Sequence, residues 1–315
     1  METSRPTRPA ISTRPQSGGA YGRPVRPRLL VPLAGAVVAW PFLEPHLPVL
    51  RHVDVPVLAA GAAPLRLLHL SDLHLLPRHV RRAGWVRALA RVQPDLVVST
   101  GDHLSSADAI ELLTRTLGAL TADGTPGVFV PGNNDAYTPV RPRLRQLLGR
   151  PLPRRRPDLP WDRAAAALVG AGWTDLTQRR TTLRLAGRDV VLTGTADAHL
   201  RRDRYADVRG PVTGLALGVT HTPARRLLKA FDDDGHALVL AGHTHGGQLR
   251  LPVLGPATTN CDLERSRARG LSVNGRGWLH VSAGLGSSPY VPVRLCCRPE
   301  ATVLTLVARE RREVR

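Results

Sequence analysis

Five short apolar segments, each followed closely by a polar residue, constrain the fold of this chain more than any other feature of its sequence. The segments are residues 65–70, 95–100, 128–130, 215–220 and 237–241, and each has the length and composition of a largely buried strand. The polar residues that follow them are Asp72, Asp102, Asn133, His221 and His243. Because the carboxyl ends of strands in an α/β sheet open into the crevice where ligands bind, we expect these side chains to converge there.

Amphipathic stretches lie between several of these segments, as is typical of an α/β domain. Apolar residues recur at helical spacing before Pro94 and again within residues 110–120, and Ser105 or Ser106 is expected to cap the second of these helices. Further strands are predicted as a hairpin within residues 181–194 and as closing strands at residues 278–281 and 302–307.

The N-terminal part of the chain differs in composition from the rest. Residues 1–28 are rich in arginine and proline, cannot build a core, and are expected to be a disordered tail. Residues 29–43 are apolar, but this segment is shorter than the roughly 20 residues that a spanning helix needs, and prolines interrupt it. We interpret residues 29–50 as an anchor or docking segment and residues 51–315 as one large domain.

Three interpretations of the apolar segment at residues 29–43 remain open. An uncleaved signal anchor fits the arginine-rich flank and would place the domain outside the cytoplasm. A helix lying on the membrane surface and a helix docked on the domain are the other two. We expect contact with a membrane through this segment, and a cytoplasmic location is the alternative.

The net charge of +19 would ordinarily indicate a nucleic-acid or anionic-membrane partner. Nearly all of the positive charge is arginine, however, and Lys229 is the only lysine, so a soluble surface coated with arginine explains the charge equally well. The cysteines, Cys261, Cys296 and Cys297, lack the CxxC spacing of redox and zinc motifs. We expect neither a disulfide framework nor a thiolate metal site.

The residues after the predicted strands are of the types that bind divalent metals. Asp72 and His74 are two positions apart, which places them on the same side of an extended segment, and His243 and His245 repeat this spacing. A carboxylate such as Asp102 can bridge two cations, while imidazole and amide oxygen suit Mn, Fe or Zn. Two such ions about 3.5–4 Å apart can hold a phosphate and generate hydroxide near neutral pH. The pattern therefore indicates phosphoryl chemistry.

The ordered set of motifs resembles the calcineurin-like metallophosphoesterase family. The motifs are D-x-H at Asp72, GD at Gly101, GNND at Gly132, a single histidine at His221, and GHTHGGQ at Gly242, the last of which resembles the bacterial YkuE-like branch. The resemblance covers roughly residues 51–307 and implies a four-layer α/β/β/α sandwich of two mixed sheets flanked by helices. It also implies two divalent ions, with manganese first and iron or zinc as alternatives.

The same resemblance implies how the metal ligands are divided. One ion would be held by Asp72, His74, Asp102 and His245. The second would be held by Asp102, Asn133, His221 and His243. Asp102 would bridge the two ions.

One position departs from the family pattern. Members usually carry histidine after the ligand asparagine, where it contacts the phosphate and protonates the leaving group, but this chain has Asn134, which can donate a hydrogen bond and cannot act as a general acid. Asp135 keeps the acidic residue that often follows, and we assign Asn134 and Asp135 as candidate catalytic residues. His103 and His199 are conceivable substitute acids, although a hydrogen-bonded structural histidine is the more ordinary role at His103.

Residues 139–160 form a predicted insertion rich in proline and arginine, directly after the GNND motif. Arginine suits bidentate phosphate contacts, so Arg141, Arg143 and Arg145, together with Asn134, are candidate substrate-binding residues. A solvated loop is the alternative. The insertion contains no aromatic residue for base stacking, which makes nucleic acid an unlikely partner.

These observations predict a binuclear metal-dependent phosphohydrolase that works by in-line attack of a hydroxide held between the metals. A phosphodiester or phosphoanhydride of a lipid or cell-envelope component is the expected substrate. A cytoplasmic nucleotide phosphodiesterase is the first alternative, and a catalytically impaired, metal-bound scaffold for anionic partners is the second. No protein partner is predicted.

Overall fold

The computed structural model describes residues 39–141, 156–251, 255–256 and 258–309. The two main sheets in this part of the chain have six strands each. The strands are β1 (Val49–Leu58), β2 (Leu65–Leu70), β3 (Leu96–Ser99), β4 (Gly127–Phe129), β5 (Trp173–Asp175), β6 (Arg179–Leu185), β7 (Arg188–Gly194), β8 (Leu215–Val219), β9 (Leu238–Ala241), β10 (Arg250–Leu251), β11 (Gly255–Pro256), β12 (Gly270–Asn274), β13 (Gly277–Val281) and β14 (Glu300–Ala308).

The first sheet has the order β1-β14-β2-β3-β4-β5 and the second the order β12-β13-β9-β8-β7-β6. Strands β2 to β5 are parallel, and so are β7, β8, β9 and β13, whereas β14 is antiparallel to β2, and β6 and β12 are antiparallel edge strands. Both sheets are therefore mixed. The hairpin β6–β7 and the closing strands β13 and β14 confirm the sequence predictions for these segments.

Successive side chains of the central strands point to opposite faces of the sheet. One group of apolar side chains therefore lies between the two sheets, and the other lies under the helices. Leu67 on β2 and Val98 on β3 lie in the cluster between the sheets, while the neighbouring Leu68 and Val97 face the opposite side. This period of two is what a strand imposes on its side chains. Because both faces are covered, the strands read as continuous apolar runs in the sequence.

Helices cover both outer faces and complete the four layers. They are α1 (Val80–Arg87), α2 (Ile110–Gly118), α3 (Trp161–Gly170) and α4 (Arg225–Asp234). The first three pack on the first sheet, and α4 packs on the second through Leu227, Leu228 and Phe231. Ser106 accepts a hydrogen bond from the backbone N–H of Asp108 and caps the short 3₁₀ turn that leads into α2, as one of the two predicted caps.

The N-terminal boundary placed at Arg51 from the sequence is wrong, because it falls inside β1. This strand begins at Val49 and pairs in parallel with β14. Before it, the Glu44 carboxylate is buried and accepts the backbone N–H groups of Cys296 and Cys297, while the carbonyl of Pro41 accepts the N–H of Arg294 at 2.9 Å. Residues from Pro41 onward are therefore part of the domain.

Several sequence predictions fall outside the described residues. They concern the tail at residues 1–28, most of the apolar segment at residues 29–43, and the centre of the insertion at residues 142–155. Within the described ranges, no helix combines the length and hydropathy needed to cross a bilayer.

Candidate metal centre

The candidate ligands come from loops at one end of the sandwich, where strands of both sheets terminate. Asp72 and His74 follow β2, Asp102 follows β3 and Asn133 follows β4, while the remaining three histidines follow β8 and β9. Backbone hydrogen bonds join these loops: the N–H of Asp72 donates to Gly101, and the N–H of Gly242 donates to His221, each at 2.9 Å. The predicted convergence at the carboxyl ends of the strands is what the structure shows.

Four of these side chains form a buried cluster. Asp72, His74, Asp102 and His245 each offer one ligand atom, and these atoms lie within 4.8 Å of one another. The Nε2 atoms of His74 and His245 are 3.3 Å apart, and the Nε2 atom of His74 lies 3.4 Å from Oδ2 of Asp102. This is the set that the family resemblance implies for the first metal.

A second group lies on the other side of Asp102. Nε2 of His221 is 3.2 Å from the side-chain oxygen of Asn133 and 3.4 Å from Oδ1 of Asp102. Nδ1 of His243 is 3.1 Å from the same Asn133 oxygen and 3.3 Å from Nε2 of His221. Asp102 therefore turns Oδ2 toward the first group and Oδ1 toward the second, which is the arrangement of a bridging carboxylate.

The outer nitrogens of the histidines show that this donor set fits metal ions. Nδ1 of His221 donates to the carbonyl of Thr100 at 2.6 Å, Nδ1 of His245 donates to Gly286 at 3.1 Å, and Nε2 of His243 donates to Asn260 at 3.2 Å. With their outer nitrogens as donors, the neutral rings of His243 and His245 turn the lone pairs of their inner nitrogens toward neighbouring imidazole, carboxylate and amide groups. Such facing acceptors repel unless a cation lies between them, so the residues fit two divalent ions.

The sequence analysis placed the pairs Asp72/His74 and His243/His245 on extended backbone. The structure shows that the backbone at these ligands is not extended. Asp72, His74, Asp102, His243 and His245 all have positive φ, between 44° and 71°. This left-handed conformation is disfavoured for residues with a Cβ, and it persists only where the surroundings impose it. Here the N–H of His74 donates to the Asp102 carbonyl at 2.9 Å, which fixes one loop against the next.

Close approach explains the glycine of the GNND motif. A Cβ on Gly132 would collide with Oδ1 and the backbone N–H of Asp102. The absence of this Cβ lets the loop after β4 lie directly against the bridging carboxylate, so that Asn133 reaches the second group.

Burial keeps three of the four ligand histidines neutral. Burial lowers the pKa of His74 to about 4, while burial and the positive charge of His221 lower the pKa of His243 to about 3. Burial also lowers the pKa of His221, but the Asp102 carboxylate outweighs it and holds that pKa well above the ordinary value. Burial raises the pKa of Asp102, but the positive charge of His221 lowers it by more. The pKa therefore lies well below its ordinary value, and the carboxyl is ionised.

Of the two candidate catalytic residues, Asn134 lies at the centre and Asp135 lies behind it. The side-chain NH₂ of Asn134 donates to Oδ2 of Asp102 at 2.6 Å, and its backbone N–H donates to Oδ1 at 2.8 Å. The Asp135 carboxylate is buried and accepts from the backbone N–H groups of His103, Leu104 and Gly132. Its oxygens accept from these backbone groups and from Nδ1 of His103, so Asp135 positions the loops around the ligands.

The two substitute acids differ in position. His103 is fully buried, its Nδ1 lies 2.9 Å from Asp135 and its Nε2 lies 2.8 Å from the hydroxyl of Ser99, so both nitrogens have partners away from the ligands. It is a structural histidine. His199 is exposed, and its ring centroid lies 5.0 Å from that of His243.

Sequence reasoning missed the role of Arg294, a fully buried guanidinium. It donates to the carbonyls of Ala283, Gly284, Gly286 and Cys297 and to the hydroxyl of Ser287. Gly286 is also the acceptor for His245, so Arg294 holds the carbonyl that orients this histidine. Burial first, and the positive charge of Arg294 second, lower the pKa of His245 to about 3. In the sequence, the position of this arginine between the apolar residues Val293 and Leu295 could have indicated that it is buried.

We expect Arg294→Lys to weaken metal binding by about 10- to 100-fold, because a single ammonium cannot replace the fork of donors that fixes Gly286 and through it His245. Competition with a chelator measures the affinity without requiring turnover. Arg298→Lys, an exposed arginine of the same segment, is the control. Unchanged affinity in Arg294→Lys would show that the His245 loop keeps its position without the guanidinium.

Of the three arginines proposed to bind substrate, the structure describes one. The guanidinium of Arg141 lies 5.9 Å from the ring centroid of Tyr290, and its side chain is exposed. Arg143 and Arg145 lie outside the described residues.

Comparisons with known sequences and structures show which proteins this chain resembles. The sequence profile of the family "Calcineurin-like phosphoesterase" matches residues 65–247, which contain all seven candidate ligands. The phosphodiesterase YaeI of Escherichia coli (strain K12) is 30% identical over 255 residues, covering 78% of this chain and 84% of that protein. The metallophosphoesterase YkuE of Bacillus subtilis (strain 168) is 24% identical over 274 residues, covering 84% and 87%. Among solved structures, TT1561 of Thermus thermophilus aligns with 71% of this chain and 91% of its own, at 12% identity and a TM-score of 0.43.

Proposed function

The chain belongs to the calcineurin-like phosphoesterase family and is a metal-dependent phosphoesterase, and we propose that it hydrolyses phosphodiesters at a centre of two divalent ions. The observation that carries the proposal is the orientation of Asp102, whose two oxygens face two different groups of ligands at 3.4 Å each. A phosphodiester is favoured over other phosphate substrates because YaeI is named a phosphodiesterase.

The protein side chains contribute positioning and charge. Two cations bound here would neutralise phosphate charge and supply hydroxide near neutral pH. Asp102 sets the separation of the two sites, and the hydrogen bonds from the histidines to backbone carbonyls fix the direction of each lone pair. Asn134 stands beside Asp102 with an N–H donor that can turn toward a phosphate oxygen. Its amide N–H is not acidic and does not release a proton at neutral pH. The departing oxygen therefore leaves as an anion or takes its proton from another group.

For the natural substrate we propose a lipid or cell-envelope phosphodiester, with the protein next to a membrane. Trp40, Phe42 and Leu43 support this proposal, because they are 44%, 58% and 54% exposed and lie at the end of the apolar segment at residues 29–43. Exposed tryptophan and aliphatic residues of this kind suit the interface between headgroups and acyl chains. The first alternative is a nucleotide phosphodiesterase.

The test is turnover of bis(p-nitrophenyl) phosphate by the full-length protein after removal of metals and addition of Mn²⁺. We expect p-nitrophenolate release that depends on added metal and disappears with a chelator. Metal binding without release would make the protein a scaffold for anionic partners. A subsequent panel of glycerophosphodiesters and cyclic nucleotides separates the two substrate classes, since higher kcat/KM on cyclic nucleotides would favour the alternative.

A further inference from the structure

A cavity of about 420 Å³ lies beside the metal centre and is not explained by metal binding. Its wall is formed by the loop after β4, the start of α3 and the loop after β7, including Gly132, Leu159, Trp161, Ala196 and Leu200. This volume is within the range of cavities that bind small organic molecules.

The cavity shares two loops with the second group of ligands. Gly132 lines it and directly precedes Asn133. Asp197 lines it as well, and its carboxylate accepts the hydroxyl of Thr222, the neighbour of His221, at 2.6 Å. One wall loop of the cavity therefore carries Asn133, and another is hydrogen-bonded to the loop that carries His221.

Carboxylates in the wall decide which chemical group fits. Oδ1 of Asp175 accepts the backbone N–H of Thr177 at 2.7 Å, and Oδ2 of Asp197 accepts the N–H of Leu200 at 2.8 Å. The Asp135 carboxylate likewise accepts hydrogen bonds from backbone N–H groups and from His103. These carboxylates are already hydrogen-bonded, and their charge opposes a second phosphate. Asp162 and Arg202 also line the cavity, so its wall carries four carboxylates against one guanidinium. The other wall residues are proline, alanine, leucine, tryptophan, glycine and threonine.

The loop after β7 is held firmly, so the cavity is preformed. Arg226 on α4 forms a bidentate ion pair with Asp203 of this loop, in which Nη2 lies 2.7 Å from Oδ1. The backbone N–H of Ala196 donates to the side-chain oxygen of Gln178 at 2.8 Å. A preformed apolar site binds without the cost of ordering the loop.

We propose that this cavity is the subsite for an uncharged organic group esterified to the phosphate, which is compact, apolar or aromatic, and carries no second phosphate. The inference rests on the proposed function and narrows it, because it favours a phosphodiester of a neutral alcohol over a phosphoanhydride. Leu200 and Trp161 contact the group and set its size.

Calorimetric titration of the Mn²⁺-loaded full-length protein with three phosphate monoesters tests the subsite. Phenyl phosphate is expected to bind at least about tenfold more tightly than methyl phosphate, since the ring fills the apolar cavity. The ester 4-carboxyphenyl phosphate has the same ring with an added charge, and it should lose this advantage. Binding is measured without turnover, so the subsite and the proposed activity can fail separately.

Two substitutions place the preference in the cavity. Leu200→Trp should fill the cavity and remove the difference in affinity between phenyl and methyl phosphate. Leu200→Ala leaves the cavity open but removes apolar contact, so it should reduce this difference in affinity. Val169→Trp changes an exposed position of α3 outside the cavity wall and should leave the difference intact. Equal affinities for all three esters, or equal weakening of all three by the Leu200 variants, would overturn the subsite. Absence of p-nitrophenolate release with the preference intact would instead overturn the hydrolytic function.

Discussion

Replacing Asp102 by alanine is expected to lower phosphodiester turnover by about 10³-fold or more and to remove both metal ions. The reason is geometric. Oδ2 lies 3.4 Å from His74 and Oδ1 lies 3.4 Å from His221, so one carboxylate serves both ligand groups. Elemental analysis of the purified variant, together with kcat on bis(p-nitrophenyl) phosphate, measures the two effects.

Two further variants make the Asp102 experiment decisive. Asp102→Asn keeps the size of the side chain and removes its charge, so it separates loss of the bridge from loss of packing. Asp108→Ala removes an exposed carboxylate six residues away and should behave as wild type. Retention of two metals and near-normal turnover in Asp102→Ala would show that Asp102 is not the bridge.

Replacing Asn134 by histidine is expected to raise kcat/KM for alkyl diesters by about 10²- to 10⁴-fold, the usual contribution of a positioned general acid. Alkoxides are strongly basic leaving groups, so they depend on protonation far more than phenolates do. Phenolic diesters should therefore gain little. The measurement is kcat/KM for diesters with graded leaving-group pKa, in wild type and variant.

Asn134→Gln is the matched control for this substitution, because it alters the length of the side chain without supplying an acid. A shallow dependence on leaving-group pKa in wild type, unchanged in Asn134→His, would show that the proton already comes from another group. His199 would then be the next residue to replace, since it is exposed beside His243. His103 would not, because both of its ring nitrogens are occupied.

The parts of this molecule that sequence reasoning predicted correctly are those with a strong local signal. Apolar runs such as residues 65–70 indicate buried strands, and a polar residue directly after a strand lies at the carboxyl edge of the sheet wherever the strand pairs. For this reason Asp72, Asp102 and Asn133 could be placed in one crevice without knowledge of the strand order.

The features that sequence reasoning missed depend on contacts between distant segments. The left-handed backbone at Asp72 and His243 is imposed by neighbouring loops, and nothing in D-x-H or H-x-H indicates it. Glu44 lies 252 residues from Cys296 along the chain, so its contact with that loop could not be read from composition. The position of Asp135 next to Asn134 does not indicate that its buried oxygens accept the backbone N–H groups of His103 and Leu104 in another loop.

The most direct test of the central claim is a titration of metal-free, full-length protein with Mn²⁺, in which hydrolysis of bis(p-nitrophenyl) phosphate and bound metal are followed together. A centre of two ions bridged by Asp102 predicts that activity rises with bound metal and reaches its plateau at two ions per chain. Full activity in the metal-free protein, or a plateau at one ion per chain, would contradict it.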